Sequence, residues 1–364
     1  MDNNEYRPVF LRLTQQTDKA IYQNLIAQNN DLTIYDTIYS QLSEFVKINN
    51  PSKKLTSEES NRLITEHIGQ VPLQEYGVWV FYPWSKRLVH LLDENEFIAV
   101  RTNRNLYKIL PEEIQTLRTK KIGVIGLSVG QSIALTMATE RICGAMHLAD
   151  FDSIELGNMN RLQVGVHDMG TNKAILAARK IAELDPYIKV TCFEDGITAE
   201  NIDDFFTSEG KIDILAEECD GIDVKILSRI KARQLGVPVV MDTNDNGMLD
   251  IERFDLEPQR PVLHGAVADL ENLDFGTLSK KLKHLTIEEK IHYLSKIIGI
   301  ENVSPPMLFS LGEMNKTITG WPQLASAVTL GAAMLTDVSR RILLGKTKES
   351  GRFFVDLEKL GLVE

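Results

Sequence analysis

The chain has 364 residues, 43% hydrophobic and 25% charged, with 51 Asp and Glu against 40 Lys and Arg for a net charge of −11. That length suits two domains of roughly 150 residues, or one large and one small, and the composition is that of a globular chain able to build a core. The acidic balance argues against nucleic acid and against an anionic membrane as partners, since both call for basic patches. No apolar run reaches the ~20 residues of a membrane helix, and the start MDNNEYRPVF has neither the basic head nor the apolar centre of a signal peptide. Three scattered cysteines, Cys143, Cys192 and Cys219, make neither a disulfide scaffold nor a CxxC zinc site. The expected location is the reducing cytoplasm.

Residues 19–28 and 35–48 carry apolar residues at helical spacing, and 51–59 reads as an exposed connection into a helix start. Residues 77–92 read as two strands joined by a turn at 83–86. From 121 onward the pattern becomes regular. Strands are expected at 121–127, 145–150, 187–193, 212–216 and 237–242, with helices at 131–141, 173–184, 201–206 and 224–235. This alternation means βαβ units, hence a Rossmann-like, mostly parallel sheet with helices on both faces, in an α/β protein that also has a smaller mixed N-terminal region. Residues 250–320 are broken by prolines, a long helix is expected at 323–344, and a short strand at 352–357. The expected division is an N-terminal accessory or substrate-recognition region, 1–100, and a catalytic domain, 101–364. Ligands on such sheets bind beyond the carboxyl ends of the strands, which is where the unusual residues of this chain fall.

The first such place is the loop GLSVGQ, 126–131. Gly126 and Gly130 flank a tight turn from strand to helix, where backbone amides and a helix N-terminus can meet a phosphate. Ser128 and Gln131 stand where a dinucleotide fingerprint has glycines, and their bulk would crowd a pyrophosphate. The same letters spell G-x-S-x-G, the nucleophile elbow of serine hydrolases, with Ser128 as nucleophile and an acid and a histidine required downstream. A third reading is plain helix-on-strand packing. The loop alone leaves all three open.

The segment DFDSIELGNMNRLQ, 150–163, narrows the choice. Asp150 ends the second strand, where a carboxylate can accept from ribose hydroxyls. Asn158 and Arg161, three residues apart, fall on one side of a helical turn. Lys173 opens the next helix, and Asp220 follows the fourth strand in EECD, 217–220. A ribose acceptor, two cations for phosphates and an acid able to hold Mg²⁺ suit a nucleoside triphosphate better than an ester.

In its order of glycine loop, D-x-D, N-x-x-R, lysine and aspartate, this block resembles the adenylyltransferase family that includes ThiF, MoeB and the ubiquitin-activating enzymes. The resemblance covers roughly residues 100–260 and reaches the long helix near 323–345. It implies ATP and Mg²⁺ as cofactors and activation of a carboxylate, a peptide or ubiquitin-like C-terminus or a small acid, as an acyl-adenylate with release of pyrophosphate. It implies nucleotide contacts from Gly126, Ser128, Gly130, Asp150, Asp152, Asn158 and Gln163, phosphate contacts from Arg161 and Lys173, and Mg²⁺ on Asp220. The stretch RTNRN, 101–105, resembles a family segment whose second arginine enters the partner subunit's site, which implies a homodimer and a role in trans for Arg104. Ser128 and Gln131 depart from the family's glycines. The paired zinc cysteines are missing, and no cysteine follows residue 219.

Each of these residues also has a plainer reading. Asp150 can end a strand, Asp220 can cap a helix, Asn158 can make an Asx turn, and Arg104, Arg161 and Lys173 can be solvated charges. Cys219 reads as a small buried residue, and Trp79, Phe81, Tyr82 and Trp84 as core. Residues 242–253 imitate a calcium loop, but Arg253 stands where the bidentate glutamate belongs. A turn at Asn246-Gly247 between two strands fits better. Outside the adenylyltransferase reading, a serine hydrolase on Ser128 and a non-catalytic nucleotide-binding scaffold are the alternatives.

Overall fold

The computed structural model describes residues 5–355 and 357, apart from 272 and 274. By its internal contacts the chain divides into two compact units, one running to Glu112 and including Ala182–Tyr187, the other made of Glu113–Ile181 and the chain from Ile188 onward.

The first unit runs β1 (Val9–Leu11), α1 (Gln16–Gln28), β2 (Thr33–Asp36), α2 (Ile38–Ile48), α3 (Ser57–Ile68), β3 (Val78–Tyr82), β4 (Arg87–Leu91) and α4 (Glu94–Thr102). Its sheet has the order β1-β3-β4-β2, with β2 parallel to β4 and the other pairs antiparallel. The hairpin expected at 77–92 is β3–β4. Residues 33–36 correct the helical reading of 35–48: Thr33-Ile34-Tyr35 are β-formers that pair along β4, and the helix waits until Ile38. Trp79 and Tyr82 are buried, and Trp79 stacks on His90 with ring centroids 4.2 Å apart, so this aromatic group is core. The Thr56 side chain accepts from the Glu59 amide and the Glu59 carboxylate from the Thr56 amide, a capping box that starts α3.

The second unit opens with α5 (Pro111–Arg118), whose first residues fall in the first unit, then β5 (Lys121–Ile125), α6 (Gly130–Glu140), β6 (Ala145–Ala149), α7 (Lys173–Leu184), β7 (Lys189–Phe193), α8 (Ile202–Thr207), β8 (Ile214–Glu217), α9 (Ile222–Leu235), β9 (Val239–Asp242) and β10 (Met248–Glu252). There follow α10 (Phe275–Lys283), α11 (Ile287–Ile298), α12 (Pro305–Glu313), α13 (Ala325–Leu343) and β11 (Gly351–Phe354). Among the described residues one sheet has the order β11-β10-β9-β8-β5-β6-β7. The five strands from β9 to β7 are parallel, and β10 and β11 extend the sheet antiparallel. The chain winds outward from β5 both ways, so winding reverses between β5 and β8, and the crevice beyond their carboxyl ends is the switch point where ligands bind. β5 is buried along its whole length, as an apolar run in a two-sided sheet should be.

The turn expected at Asn246-Gly247 is present, and two other expectations change. The imitation calcium loop is the β9–β10 turn, with Asn244, Asn246 and Gly247 at left-handed φ. Among its described residues the irregular stretch 250–320 contains three α-helices: Thr286 and Glu289 make a capping box for α11, and Ser304 caps α12 ahead of Pro305. The strand expected at 352–357 ends at Phe354, and residue 356 lies outside the described residues. The apolar face of α13 (Val328, Ala332, Leu335, Val338) is buried within this unit, packed mainly on α6. Among the described residues no helix is long and apolar enough to cross a membrane.

Candidate functional site

The site is built around the β5–α6 loop. Gly126 has φ +83°, and a Cβ there would stand 2.7 Å from the Cys219 backbone nitrogen, so only glycine lets the loop cross the end of β8. At Gly130 an added Cβ would lie 2.9 Å from Val124 Cγ1, which is a packing reason for the second glycine. Asp150, just past β6 and 8% exposed, locks the loop. Its Oδ2 accepts from the Leu127 amide at 2.6 Å and its Oδ1 from the Asp152 amide at 2.8 Å. Burial pushes its carboxyl pKa up, against the pull of the Leu127 amide and Lys173. Each oxygen keeps capacity for one more donor. Gln131 is fully buried with neither carboxamide atom partnered, so its bulk lies inside the fold and not over the loop.

Ser128 and Arg161 meet directly. Arg161 Nε and Nη2 donate to Ser128 Oγ at 3.2 and 2.9 Å, and Nη1 donates to Asn160 Oδ1 at 2.8 Å. Lys173, buried at the start of α7, donates to Asp152 Oδ2 at 2.8 Å. Asp220, beyond β8, feels both cations: burial raises its pKa and Lys225, Arg161 and Lys173 oppose the rise, while Glu217 adds to it. Arg161 is lowered by burial and held charged by Asp220. Ser128, Arg161, Lys173, Asp150, Asp152 and Asp220 therefore occupy one corner at the switch point.

That corner does not suit a serine nucleophile. The partner of Ser128 is a guanidinium, which only donates and cannot take the proton of Oγ. Ser128 is also absent from the positive-φ residues that a strained elbow would include. His264 is engaged elsewhere, with Nε2 2.8 Å from Asp250 Oδ2 and Nδ1 2.7 Å from an Arg260 nitrogen.

Three other expected residues stand differently. Asn158 Oδ1 accepts from the Glu155 amide at 3.0 Å, so the carboxamide braces its own turn. Gln163 is exposed on the loop that follows. Arg104 is exposed in a single turn, Asn103–Asn105, of the first unit.

Sequence reasoning missed a buried ionic network behind the site. Glu217, at the end of β8, accepts from Lys225 Nζ at 2.8 Å and from Arg229, whose Nε donates to Glu252 at 2.8 Å; Glu217, Arg229 and Glu252 are fully buried. Burial alone would raise Glu217, but Lys225 and Arg229 pull it down to about 2. The helical spacing of Lys225 and Arg229 on α9 was the available signal, since i and i+4 cations facing strand-end acids read as paired.

The network also quiets the cysteine. Cys219 Sγ donates to Glu217 Oε1 at 2.8 Å, and burial, then the charge of Glu217, pushes its thiol pKa well up. A thiol held neutral is a poor nucleophile. Cys219→Ser should keep that hydrogen bond and leave any adenylation activity within about threefold of wild type. A thioester on Cys219, found by mass spectrometry, would contradict this.

Beyond the loop lies a cavity of about 220 Å³, walled by Ser128, Glu218, Asp220, Lys225, residues 241–245, and apolar side chains of α11, α12 and the segment 321–323. Asp242 is 5% exposed there, and burial pushes its carboxyl up to about 7, against the pull of the Asn244 and Thr243 amides. A folded-state pKa raised above the unfolded value means stability is lost as pH climbs from about 4 through 7. Asp242→Asn should lack that slope and gain up to about 4 kcal/mol at pH 8 but almost nothing at pH 4. Urea unfolding of both proteins at the two pH values checks it.

Residues 100–247 match the ThiF family. The motif-based resemblance and the family match thus fall on the same stretch. An uncharacterized protein of Mycobacterium tuberculosis (strain CDC 1551 / Oshkosh) is 43% identical over 285 residues, which are 78% of this chain and 38% of that protein. Ubiquitin-like modifier-activating enzyme 5 of Drosophila willistoni is 32% identical over 98 residues, 27% of this chain and 24% of that enzyme. The chain thus spans well under two thirds of either relative. The crystal structure of SeMet PaaA superposes with a TM-score of 0.51 at 16% identity, covering 93% of this chain and 87% of that one. It shares the fold of the ThiF region.

Proposed function

We propose that the chain activates a carboxylate with ATP. The carrying observation is the corner where Arg161 clasps Ser128 on the glycine loop, beside Asp220 and Lys173. A carboxylate oxygen attacks the α-phosphorus, the bond to the bridging oxygen breaks, and pyrophosphate leaves with an acyl-adenylate behind. Asp150, with spare acceptor capacity, takes the ribose hydroxyls. Arg161 and Lys173 offset charge on the phosphates. Mg²⁺ would neutralise further charge, and it commonly rests on one or two carboxylates plus substrate phosphates; Asp220, an exposed carboxylate beyond β8 that faces Arg161 and Lys173, would be its anchor. No protein nucleophile is needed, because positioning and electrostatics carry such transfers. The family match supports this reading, as does the quiet state of Cys219. ATP–pyrophosphate exchange across a panel of carboxylic acids tests it. Acid-dependent exchange supports the proposal, and ATP binding without exchange for any acid would favour a nucleotide-binding scaffold.

We also propose that the sites are shared in a homodimer, with Arg104 reaching the partner's phosphates. The support is its place in RTNRN and its exposure. Arginines delivered in trans contribute strongly to phosphate chemistry. Mixing Arg104→Ala with Asp220→Asn chains, each inactive alone, should restore part of the exchange activity, because one site of a mixed pair carries neither change. A mixture that stays inactive while chains demonstrably exchange, or a monomer at micromolar concentration, would contradict the shared site.

A further inference from the structure

The cavity beside the glycine loop begins at the reacting corner of the proposed function. Ser128, whose hydroxyl accepts from Arg161, and the exposed Asp220 stand at that end. Away from it the wall is largely apolar and comes from separate parts of the chain: Leu294 and Ile297 of α11, Met307 and Leu311 of α12, and Val303 and Trp321 of the connections. Some of this apolar surface is left uncovered, since Leu311 is 36% exposed. Apolar side chains gathered around an open space next to a few polar groups make the usual form of a small-molecule site.

Most polar side chains of the lining are already engaged by the protein. Asp245 accepts from the Ser304 amide at 2.8 Å and from Ser304 Oγ at 2.6 Å. Lys225 donates to Glu217 and to Met241 Sδ. Glu218 Oε1 accepts from the Asp242 amide at 3.0 Å, and Thr243 Oγ1 donates to the Asp245 carbonyl at 3.3 Å. Asp242 turns its carboxyl away, against Gly331 of α13, and the side-chain oxygens of Asp242 and Asn244 are buried. A ligand entering here meets polar partners at the Ser128 end and few along the apolar wall. A peptide tail would bring an N–H and a C=O with every residue, and such groups cost free energy when buried without partners. A hydrocarbon group brings none.

We infer that the acid taken by this site is a small monocarboxylic acid whose substituent is one compact apolar group, seated among the α11, α12 and Trp321 side chains, with the carboxylate toward Ser128 and its Arg161 partner. The inference rests on the proposed adenylation for the fate of the carboxylate, but the apolar subsite stands on its own geometry. A cavity of about 220 Å³ is below the ~300 Å³ at which pockets for larger ligands begin, in keeping with a single such group and not with a run of residues.

The test is calorimetric titration of the whole chain in the presence of a non-hydrolysable ATP analogue. The probes are acetate, butanoate, hexanoate, 5-hydroxypentanoate (hexanoate with its terminal methyl replaced by a hydroxyl) and a peptide ending in Gly-Gly. Affinity should rise about three- to fourfold per methylene from acetate to hexanoate. The hydroxy acid should bind at least tenfold more weakly than hexanoate. Met307→Gln and Leu311→Gln should each weaken hexanoate at least fivefold, while retained binding of the ATP analogue shows that the variants fold. Trp321 fluorescence, with Trp321→Phe as control, should change on hexanoate binding. Affinity that does not depend on chain length, equal binding of the hydroxy acid, tighter binding of the peptide than of hexanoate, hexanoate affinity unchanged in both variants, or no binding of hexanoate would each overturn the inference. Pyrophosphate exchange separates the two claims. Exchange supported by the peptide or by polar acids but not by hexanoate sinks the apolar assignment and leaves adenylation standing. Hexanoate binding in this cavity with no exchange for any acid does the reverse.

Discussion

Asp220→Asn is expected to lower Mg²⁺-dependent pyrophosphate exchange by about a thousandfold or more, while ATP still binds weakly. Asparagine keeps the shape of the side chain and removes the charge. The side chain is exposed, so the isosteric replacement should leave the fold intact. What goes is the counter-charge that faces Arg161 and Lys173, together with the proposed metal anchor. The glycine loop and its lock on Asp150 do not involve Asp220, so the adenosine end of ATP keeps its contacts. Near-normal exchange in the variant would remove Asp220 from the chemistry and leave it an exposed loop carboxylate ahead of α9.

Arg229→Met should cost about 3–5 kcal/mol of stability, because it strands Glu217 and Glu252 in the interior. Glu217 would retain Lys225, but Glu252 would lose its Arg229 partner, keeping only the Leu263 amide at 2.6 Å. A double variant, Arg229→Met and Glu252→Gln, should be less damaged than the single one, since it keeps the Glu217–Lys225 pair and leaves no uncompensated charge. Chemical denaturation of the three proteins checks the order. If Arg229→Met costs less than about 1 kcal/mol, the network is not holding the β8, β9 and β10 ends together. Because Glu217 lies three residues before Asp220, the single variant should also lower exchange in the fraction that remains folded.

Asp150, Lys173 and Asp220 were legible because each sits just past a strand end or at a helix start, and the βαβ pattern places those ends together; Arg161, in the connection between β6 and α7, was legible only from its N-x-x-R spacing. The strands themselves were legible as short apolar runs. Gln131 was misread as an obstruction, since sequence gives the bulk of a side chain and not the direction in which it is buried. The strand at Thr33–Asp36 was hidden because its partner, β4, is some fifty residues away and local periodicity favoured a helix. The cavity wall from α11 and α12 was obscured by prolines, although T-x-x-E at 286–289 and Ser-Pro at 304–305 were readable helix starts. The raised carboxyl of Asp242 could not be anticipated at all, because a carboxylate is desolvated only once the surrounding chain has folded over it.

The central claim, attack of a carboxylate on the α-phosphorus, is tested most directly by oxygen labelling. The chain is incubated with ATP, Mg²⁺ and an acid carrying ¹⁸O in its carboxylate, and hydroxylamine then releases the acyl group. The account predicts AMP that has gained one ¹⁸O, with pyrophosphate unlabelled and an acyl hydroxamate in equal amount. Unlabelled AMP, or ADP and phosphate in its place, would contradict it.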